Sequence, residues 1–235
     1  PHFPVGIRIN GNDYIENGWE LESTLRLSPL LEKAGAAYLH ISGGVYGSTE
    51  LTIPSMYTSH GCFVHLAEAV KQVVNIPVIT VGRIKDPEHA DRVIAQGQAD
   101  LVALGRSLLA DPYYPAKAEK GDLDRIRPCV GCCLGCIHAV LAKEPGSCVV
   151  NPDVGREYKL NESLSKVQSR KILVVGGGPA GMAAARQFAI DGHTTLMCEK
   201  TEALGGLLAL AGRAPGRGEL NDILAFFKTE LDRLG

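Results

Sequence analysis

Four cysteines, Cys129, Cys132, Cys136 and Cys148, stand at the spacing C-x2-C-x3-C-x11-C. Three thiolates in one short loop plus a more distant fourth suit a cubane that offers one iron to each sulfur, the ligation used by [4Fe–4S] clusters. A tetrahedral zinc site is the main rival. Structural zinc sites usually pair two short knuckles, however, and Cys148 has no Cys or His partner close by in sequence. A purely structural grouping is the third reading. Cys133 adjoins a ligand position and reads as a bystander, while Cys62 and Cys198 read as small core residues.

A second chemical signal is the run Lys171-Ile-Leu-Val-Val-Gly176-Gly-Gly178-Pro-Ala-Gly181, a strand opening into G-x-G-x-x-G and then an alanine-rich helix over Met182–Ala189. That context makes the glycines informative. Gly176 permits the tight turn, Gly178 lets the backbone approach a pyrophosphate, and Gly181 lets the helix close on the strand. The free amides and partial positive charge at the helix start receive phosphate. A second strand at Thr195–Cys198 delivers Glu199 to the position that binds ribose hydroxyls. The turn by itself does not separate FAD from NAD.

A third group sits at the ends of apolar runs: Arg8 to Asn10, Ser42-Gly43-Gly44, Gly82-Arg83 and Gly105-Arg106. The elements that must position them alternate. Strands are expected at Val5–Ile9, Tyr38–Ser42, Pro77–Val81 and Leu101–Leu104. Helices are expected at Leu25–Ala34, Phe63–Val74 and Pro87–Gln96. Strand–helix alternation predicts a parallel sheet, and apolar strands predict that both faces are buried. A doubly wound sheet and a (β/α)8 barrel both satisfy this. Four βα units make half a barrel, and polar groups at strand C-termini are where barrels place their active sites. If these are strands five to eight, the last two groups fall at the usual phosphate site of such barrels.

The alternation breaks near Asp111, with Pro112 and Pro115, and the cysteine segment follows Pro128. A polar stretch, Asn161 to Arg170, has linker composition. The expected organisation is α/β: residues 1–127 as the C-terminal half of a TIM barrel, 128–160 as a Cys-rich iron–sulfur segment, and 161–235 as a linker and the start of a Rossmann-like domain. Both ends look cut, at Pro1 and in the terminal helix. The composition, 45% hydrophobic and 21% charged across 235 residues, is that of an ordinary globular protein. A net charge of −2 offers no field for nucleic acid, and no apolar run approaches a membrane span. Seven cysteines without a signal segment point to metal binding in a reducing compartment, the cytoplasm. The sequon at Asn161 is of the kind that arises by chance.

Several motifs occur together in order: Val5-Gly-Ile-Arg8, His40-Ile-Ser-Gly-Gly44, Ile76-Pro-Val-Ile-Thr-Val-Gly-Arg83, Ala103-Leu-Gly-Arg106, Arg127-Pro-Cys-Val-Gly-Cys132, Cys148-Val-Val-Asn-Pro152, and the glycine turn through Leu204-Gly-Gly206. In this order the chain resembles the iron–sulfur branch of the old yellow enzyme family, whose members include 2,4-dienoyl-CoA reductase, trimethylamine dehydrogenase and enoate reductases. The resemblance covers essentially the whole chain.

That resemblance implies FMN on the barrel, one [4Fe–4S] cluster, FAD on the Rossmann portion, and NAD(P)H as electron source. Electrons would pass through FAD and the cluster to FMN, and as hydride to the activated C=C bond of a small unsaturated substrate. Arg8 matches the arginine at the flavin pyrimidine edge, where positive charge stabilises reduced flavin. Gly82, Arg83, Gly105 and Arg106 match the FMN phosphate site. Gly176, Gly178, Pro179, Ala180, Gly181, Glu199 and Gly206 match the FAD motif, and Arg217 reads as a surface charge. The family's dienoyl reductases carry a His after strand six, but Gly44-Val-Tyr-Gly-Ser-Thr-Glu-Leu51 has none, which leaves Tyr46 as the candidate proton donor. His40, which precedes it on the strand, is expected inward and hydrogen-bonded. Leu207 replaces an often polar residue. Two other classes share the motifs: an amine dehydrogenase or demethylase passing electrons outward, and a non-catalytic electron-transfer subunit.

Overall fold

The computed structural model describes residues 3–160 and 168–235. The chain divides into two compact units, Pro1–Gly105 and Arg106–Gly235. Most of the stretch read as a linker, and the sequon with it, lies outside the described residues.

In the first unit the order is β1 (Ile7–Asn12), α1 (Leu21–Lys33), β2 (Leu39–Gly43), a 3-10 turn at Tyr46–Ser48, α2 (Thr49–Thr52), α3 (Val64–Lys71), β3 (Val78–Thr80), α4 (Pro87–Ala95) and β4 (Leu101–Val102). The strands form one parallel sheet in the order β1-β2-β3-β4. Helix starts follow local chemistry. Asp86 caps α4 by accepting the His89 amide at 2.7 Å, and Pro87 fills the first turn, where no amide partner is needed.

Register decides the architecture. Ile7 pairs with Leu39 and Leu39 with Val78, while Arg8 pairs with His40 and His40 with Ile79. Since side chains alternate across a strand, Ile7, Leu39 and Val78 share one face and Arg8, His40 and Ile79 the other. The first face joins Leu66 and Val70 of α3 and Val93 of α4 in a single buried core, with Leu21 and Leu25 of α1 packed against it. All three helices therefore cover the same side. That is half of a (β/α)8 barrel and not a doubly wound sheet, which carries helices on both sides. The expectation of strands apolar on both faces is corrected: Arg8, Asn10, His40 and Ser42 give the second face a polar band near the strand ends. A barrel strand shows one face to the helices and the other to the barrel axis, so its mouth end tolerates polar groups.

The second unit runs through α5 (Arg106–Ala110), α6 (Tyr114–Glu119), a 3-10 turn at Leu123–Arg125, α7 (Ile137–Ala142), α8 (Glu157–Leu160), β5 (Lys171–Val175), α9 (Pro179–Ile190), β6 (Thr194–Cys198), α10 (Gly206–Ala211) and α11 (Leu220–Leu234). β5 and β6 pair in parallel from Lys171 opposite Thr194 to Val175 opposite Cys198. On α9, Met182 and Ala185 are buried, whereas Leu173, Val175 and Leu196 of the strands stand exposed. Val130 and Val150 of the cysteine segment share one core with Met182, Ile223, Leu224, Phe226 and Phe227. Segment and nucleotide-type turn are thus built on common packing.

A buried carboxylate reinforces that core. Glu230 on α11 bonds Arg186 of α9 at 2.7 Å and Arg233 at 3.0 Å, with Arg125 Nε 3.6 Å away. Arg186 and Arg127 both lie over the Phe226 ring, at 5.5 and 5.7 Å from its centroid. Among the described residues no helix is long and apolar enough to cross a membrane.

Candidate functional site

Cys129, Cys132, Cys133, Cys136 and Cys148 line one pocket with Arg106, Leu109, Val130, Gly135, Val149 and Val150. All of these cysteines are free thiols. The loop reaches this shape through two left-handed residues, Gly131 (φ 60°) and Cys133 (φ 57°). Gly135 is held against Ser147, whose amide donates to the Gly135 carbonyl at 2.9 Å, which draws Cys148 back toward the loop. A Cβ at Gly135 would stand 2.6 Å from the Ser147 carbonyl oxygen, so the approach requires glycine.

Among the described residues no three His, Cys, Asp or Glu side chains gather around one metal-ion position. Four thiolates on a single zinc would crowd to roughly 3.8 Å of one another, given Zn–S of about 2.3 Å. A cubane spreads its thiolates, one per iron. Five cysteines on one pocket wall offer more sulfurs than a single ion takes, and a cubane uses four of them. Burial pushes the Cys129 and Cys132 thiols up, and the Gly131 amide, followed by the Arg106 guanidinium, pulls Cys129 partly back. Ligation by metal would release those protons. Cys133, read as a bystander to ligation, accepts a bond from Arg106 Nη1 at 3.1 Å.

The glycine turn is assembled as its spacing predicts. Gly176 has φ 105° and donates to the Cys198 carbonyl at 2.7 Å, joining the ends of β5 and β6. A Cβ on Gly181 would lie 1.9 Å from the Gly176 oxygen, whereas one on Gly178 would meet nothing within 4 Å. Gly181 therefore serves packing, and Gly178 leaves backbone open to a ligand. Pro179 and Ala180 form the first turn of α9, and no side chain caps its amides. Gly206, at φ 51°, lies against Gly178, and Gly205 donates to the Gly177 carbonyl at 2.8 Å. Glu199 folds back onto the turn. Its carboxylate accepts the Gly177 amide at 2.7 Å and the Thr201 amide at 3.0 Å, and the Gly177 bond, with those of Thr201, holds its pKa below the usual carboxylate value.

In the first unit the polar band is a linked set. Arg8 Nε donates to Ser42 Oγ at 3.4 Å, Ser42 donates to Asn10 at 3.0 Å, and Asn10 donates to Asp13 and to the Gly44 carbonyl. His40 departs from expectation, because its buried Nε2 has no hydrogen-bond partner among the described residues. Its strand neighbour Arg8 is a donor-only cation whose Nε is directed to Ser42. Burial and the Arg8 charge lower the His40 pKa and favour neutral imidazole. Gly82 (φ 119°) and Arg83 (φ 53°) form a left-handed turn after β3, where a Cβ at Gly82 would stand 2.8 Å from Phe63. Arg83 Nη1 donates to the Ser55 and Thr58 carbonyls and Nη2 contacts His60 Nε2 at 3.1 Å, so this guanidinium fastens the loop between α2 and α3. Gly105 follows β4 with open space at its Cα. Tyr46, in the turn after β2, is 95% exposed.

Comparisons with known proteins match both parts of the chain. Residues 2–124 match the NADH:flavin oxidoreductase / NADH oxidase family, and residues 171–228 match FAD dependent oxidoreductases. The chain is 42% identical over 234 residues to an NADH oxidase of Thermoanaerobacter brockii, covering 99% of this chain and 36% of that protein. It is 34% identical to a cinnamate reductase of Clostridium sporogenes, covering 99% and 37%. A solved 2-naphthoyl-CoA reductase, in complex with 2-naphthoyl-CoA, superposes with a TM-score of 0.94 at 30% identity, over 99% of this chain and 36% of that one. The chain thus spans about a third of the length of the curated relatives it matches. On the match over residues 2–124, more than half its length, the chain belongs to the NADH:flavin oxidoreductase / NADH oxidase family.

Proposed function

We propose that the chain carries the cofactor sites of an NAD(P)H-dependent flavin and iron–sulfur oxidoreductase of the enoate-reductase type, working in the cytoplasm on a small molecule with an activated C=C bond. The observation that carries the reading is the cysteine-lined pocket built on the same core as a glycine turn with open backbone at Gly178. Bound at these sites, FAD, a [4Fe–4S] cluster and FMN supply hydride and single-electron transfer between nicotinamide and substrate. The organisation we infer is barrel half over 1–127, cluster segment over 128–160, and linker plus nucleotide-binding portion over 161–235.

The residues have separate tasks. Cys129, Cys132, Cys136 and Cys148 hold the cluster. Gly176, Gly178, Pro179, Ala180, Gly181 and Gly206 let a pyrophosphate approach backbone amides, and Glu199 takes ribose hydroxyls. Arg8 sets positive charge at the flavin pyrimidine edge, which favours the anionic reduced form. The amides of Gly82, Arg83 and Gly105 receive the FMN phosphate, and the Arg83 guanidinium keeps the neighbouring loop in place. Tyr46 presents an exposed phenol as proton donor to the carbon beside the one that takes hydride.

The test is anaerobic purification of the full-length protein, followed by iron, acid-labile sulfide and flavin analysis and a cinnamate-dependent NADH oxidation assay. Expected are about four irons and four sulfides per chain, both flavins, and turnover of the enoate. Stoichiometric zinc without labile sulfide would end the cluster reading. Flavin reduction by amines with no enoate turnover would replace the reductase by an amine dehydrogenase.

A further inference from the structure

The cluster pocket is apolar apart from its sulfurs, with one exception. Leu109, Val130, Val149 and Val150 supply its walls, and Arg106 is the one charged side chain among the described residues lining it. Arg106 opens α5 and its Nη1 donates to the sulfur of Cys133 at 3.1 Å. Cys133 adopts φ 57°, a left-handed conformation that non-glycine residues take at a cost, and this aims its sulfur at the guanidinium. A backbone held so, beside the ligand position Cys132, has a use other than ligation, because a cubane already takes its four thiolates from the other cysteines.

We propose that Arg106 sets the reduction potential of the cluster held by Cys129, Cys132, Cys136 and Cys148, and that Cys133 is the residue that positions it. The proposal rests on the cluster reading above. A thiolate-ligated cubane carries net negative charge, and reduction adds one more. A fixed cation in the same apolar pocket stabilises the reduced form more than the oxidised one and so raises the potential. Charge and hydrogen bonding next to the ligands are the means by which a protein tunes such a centre. Cys133 acts through Arg106: its sulfur anchors one arm of the guanidinium and keeps the charge inside the pocket.

The experiment is EPR-monitored redox titration of the anaerobically purified full-length holoprotein, with iron, labile sulfide and FMN measured on each sample. Arg106→Gln is expected to retain the cluster and shift its midpoint to more negative potential, with Arg106→Lys restoring part of the shift. Cys133→Ala is expected to keep four irons and shift the midpoint the same way by less. An unchanged midpoint in Arg106→Gln with the cluster intact overturns the proposal, as does loss of FMN with no shift, which would assign Arg106 to the flavin alone. Should Arg106→Gln fail to assemble, Cys133→Ala decides: a shift supports the proposal and an unmoved midpoint overturns it. Wild-type protein without labile sulfide would overturn the cluster reading, and this inference with it, and is distinguished by the metal analysis alone.

Discussion

Glu199 satisfies the glycine turn from within, because its carboxylate already accepts the amides of Gly177 and Thr201. A ribose bound there would share those acceptor lone pairs. The sign of the pH dependence follows from the lowered pKa of Glu199. A carboxyl depressed in the folded state contributes above its unfolded value of about 4.3 and loses that contribution as pH falls through the depressed value. Glu199→Ala is therefore expected to weaken FAD retention at neutral pH and to reduce the acid-dependent part of FAD loss, the rest of which belongs to other lowered carboxyls such as Glu230. Flavin release followed by fluorescence from pH 7 downward reads both, and an unchanged acid limb would remove Glu199 from the site. Residues of this kind were legible because their partners are close in sequence, or set by a fixed motif spacing. The cysteine pocket was legible for the same reason. The contacts of Arg83 with the Ser55–His60 loop and of Arg106 with Cys133 join residues some 23 to 28 positions apart. No local pattern announces them. His40 misled for a related reason: its expected hydrogen bond depended on what register would place beside it, and register placed Arg8 and Ile79 there.

At the scale of elements, two glycines three residues apart in one motif, Gly178 and Gly181, should behave in opposite ways. A methyl at position 181 collides with the Gly176 carbonyl, so Gly181→Ala must push α9 off the turn, at about 1–3 kcal/mol for overpacking. A methyl at position 178 meets open space at an ordinary φ of −74°, so Gly178→Ala should cost under about 1 kcal/mol yet fill the approach to a pyrophosphate. Urea unfolding and FAD content separate the two, and equal stability loss in both would contradict the division of labour. The same helix depends on Glu230. Burial alone would raise the Glu230 carboxyl, but the Arg233 and Arg186 guanidinia overcome it and leave the pKa lowered. Its contribution is present above about pH 4.3 and fades as pH falls. Glu230→Leu should cost about 3 kcal/mol at pH 7, because it strands Arg186 beside an apolar ring. Its penalty should shrink in acid, where wild type has lost the same interaction. The alternation of strands and helices was enough to predict this parallel α/β order. Which side the helices cover was not, since strand apolarity does not reveal a face until pairing aligns Arg8 with His40.

For the whole molecule, the division at Gly105 and Arg106 falls between the residues proposed for FMN and those proposed for the cluster and FAD. Arg8, Gly82, Arg83 and Gly105 belong to the first unit, while the cysteine pocket and the glycine turn belong to the second. Within the second unit, Val130 and Val150 reach from the cysteine loop into the core that Met182 of α9 and Phe226 of α11 complete. Arg127, just before Cys129, lies over Phe226 and bonds Asn151 at 2.5 Å. Disorder in the cysteine loop would therefore loosen the helix that carries the first amides of the glycine turn. Cys136→Ser is expected to remove iron and labile sulfide, to lower FAD retention with them, and to leave FMN near its wild-type content. Cys62→Ser, in the first unit, should leave the cluster in place. Chromatography of extracted flavins beside iron and sulfide analysis reads every arm. Loss of FMN with FAD intact in Cys136→Ser would mean that the cluster segment stabilises the barrel half and not the nucleotide-binding portion with which it shares a core.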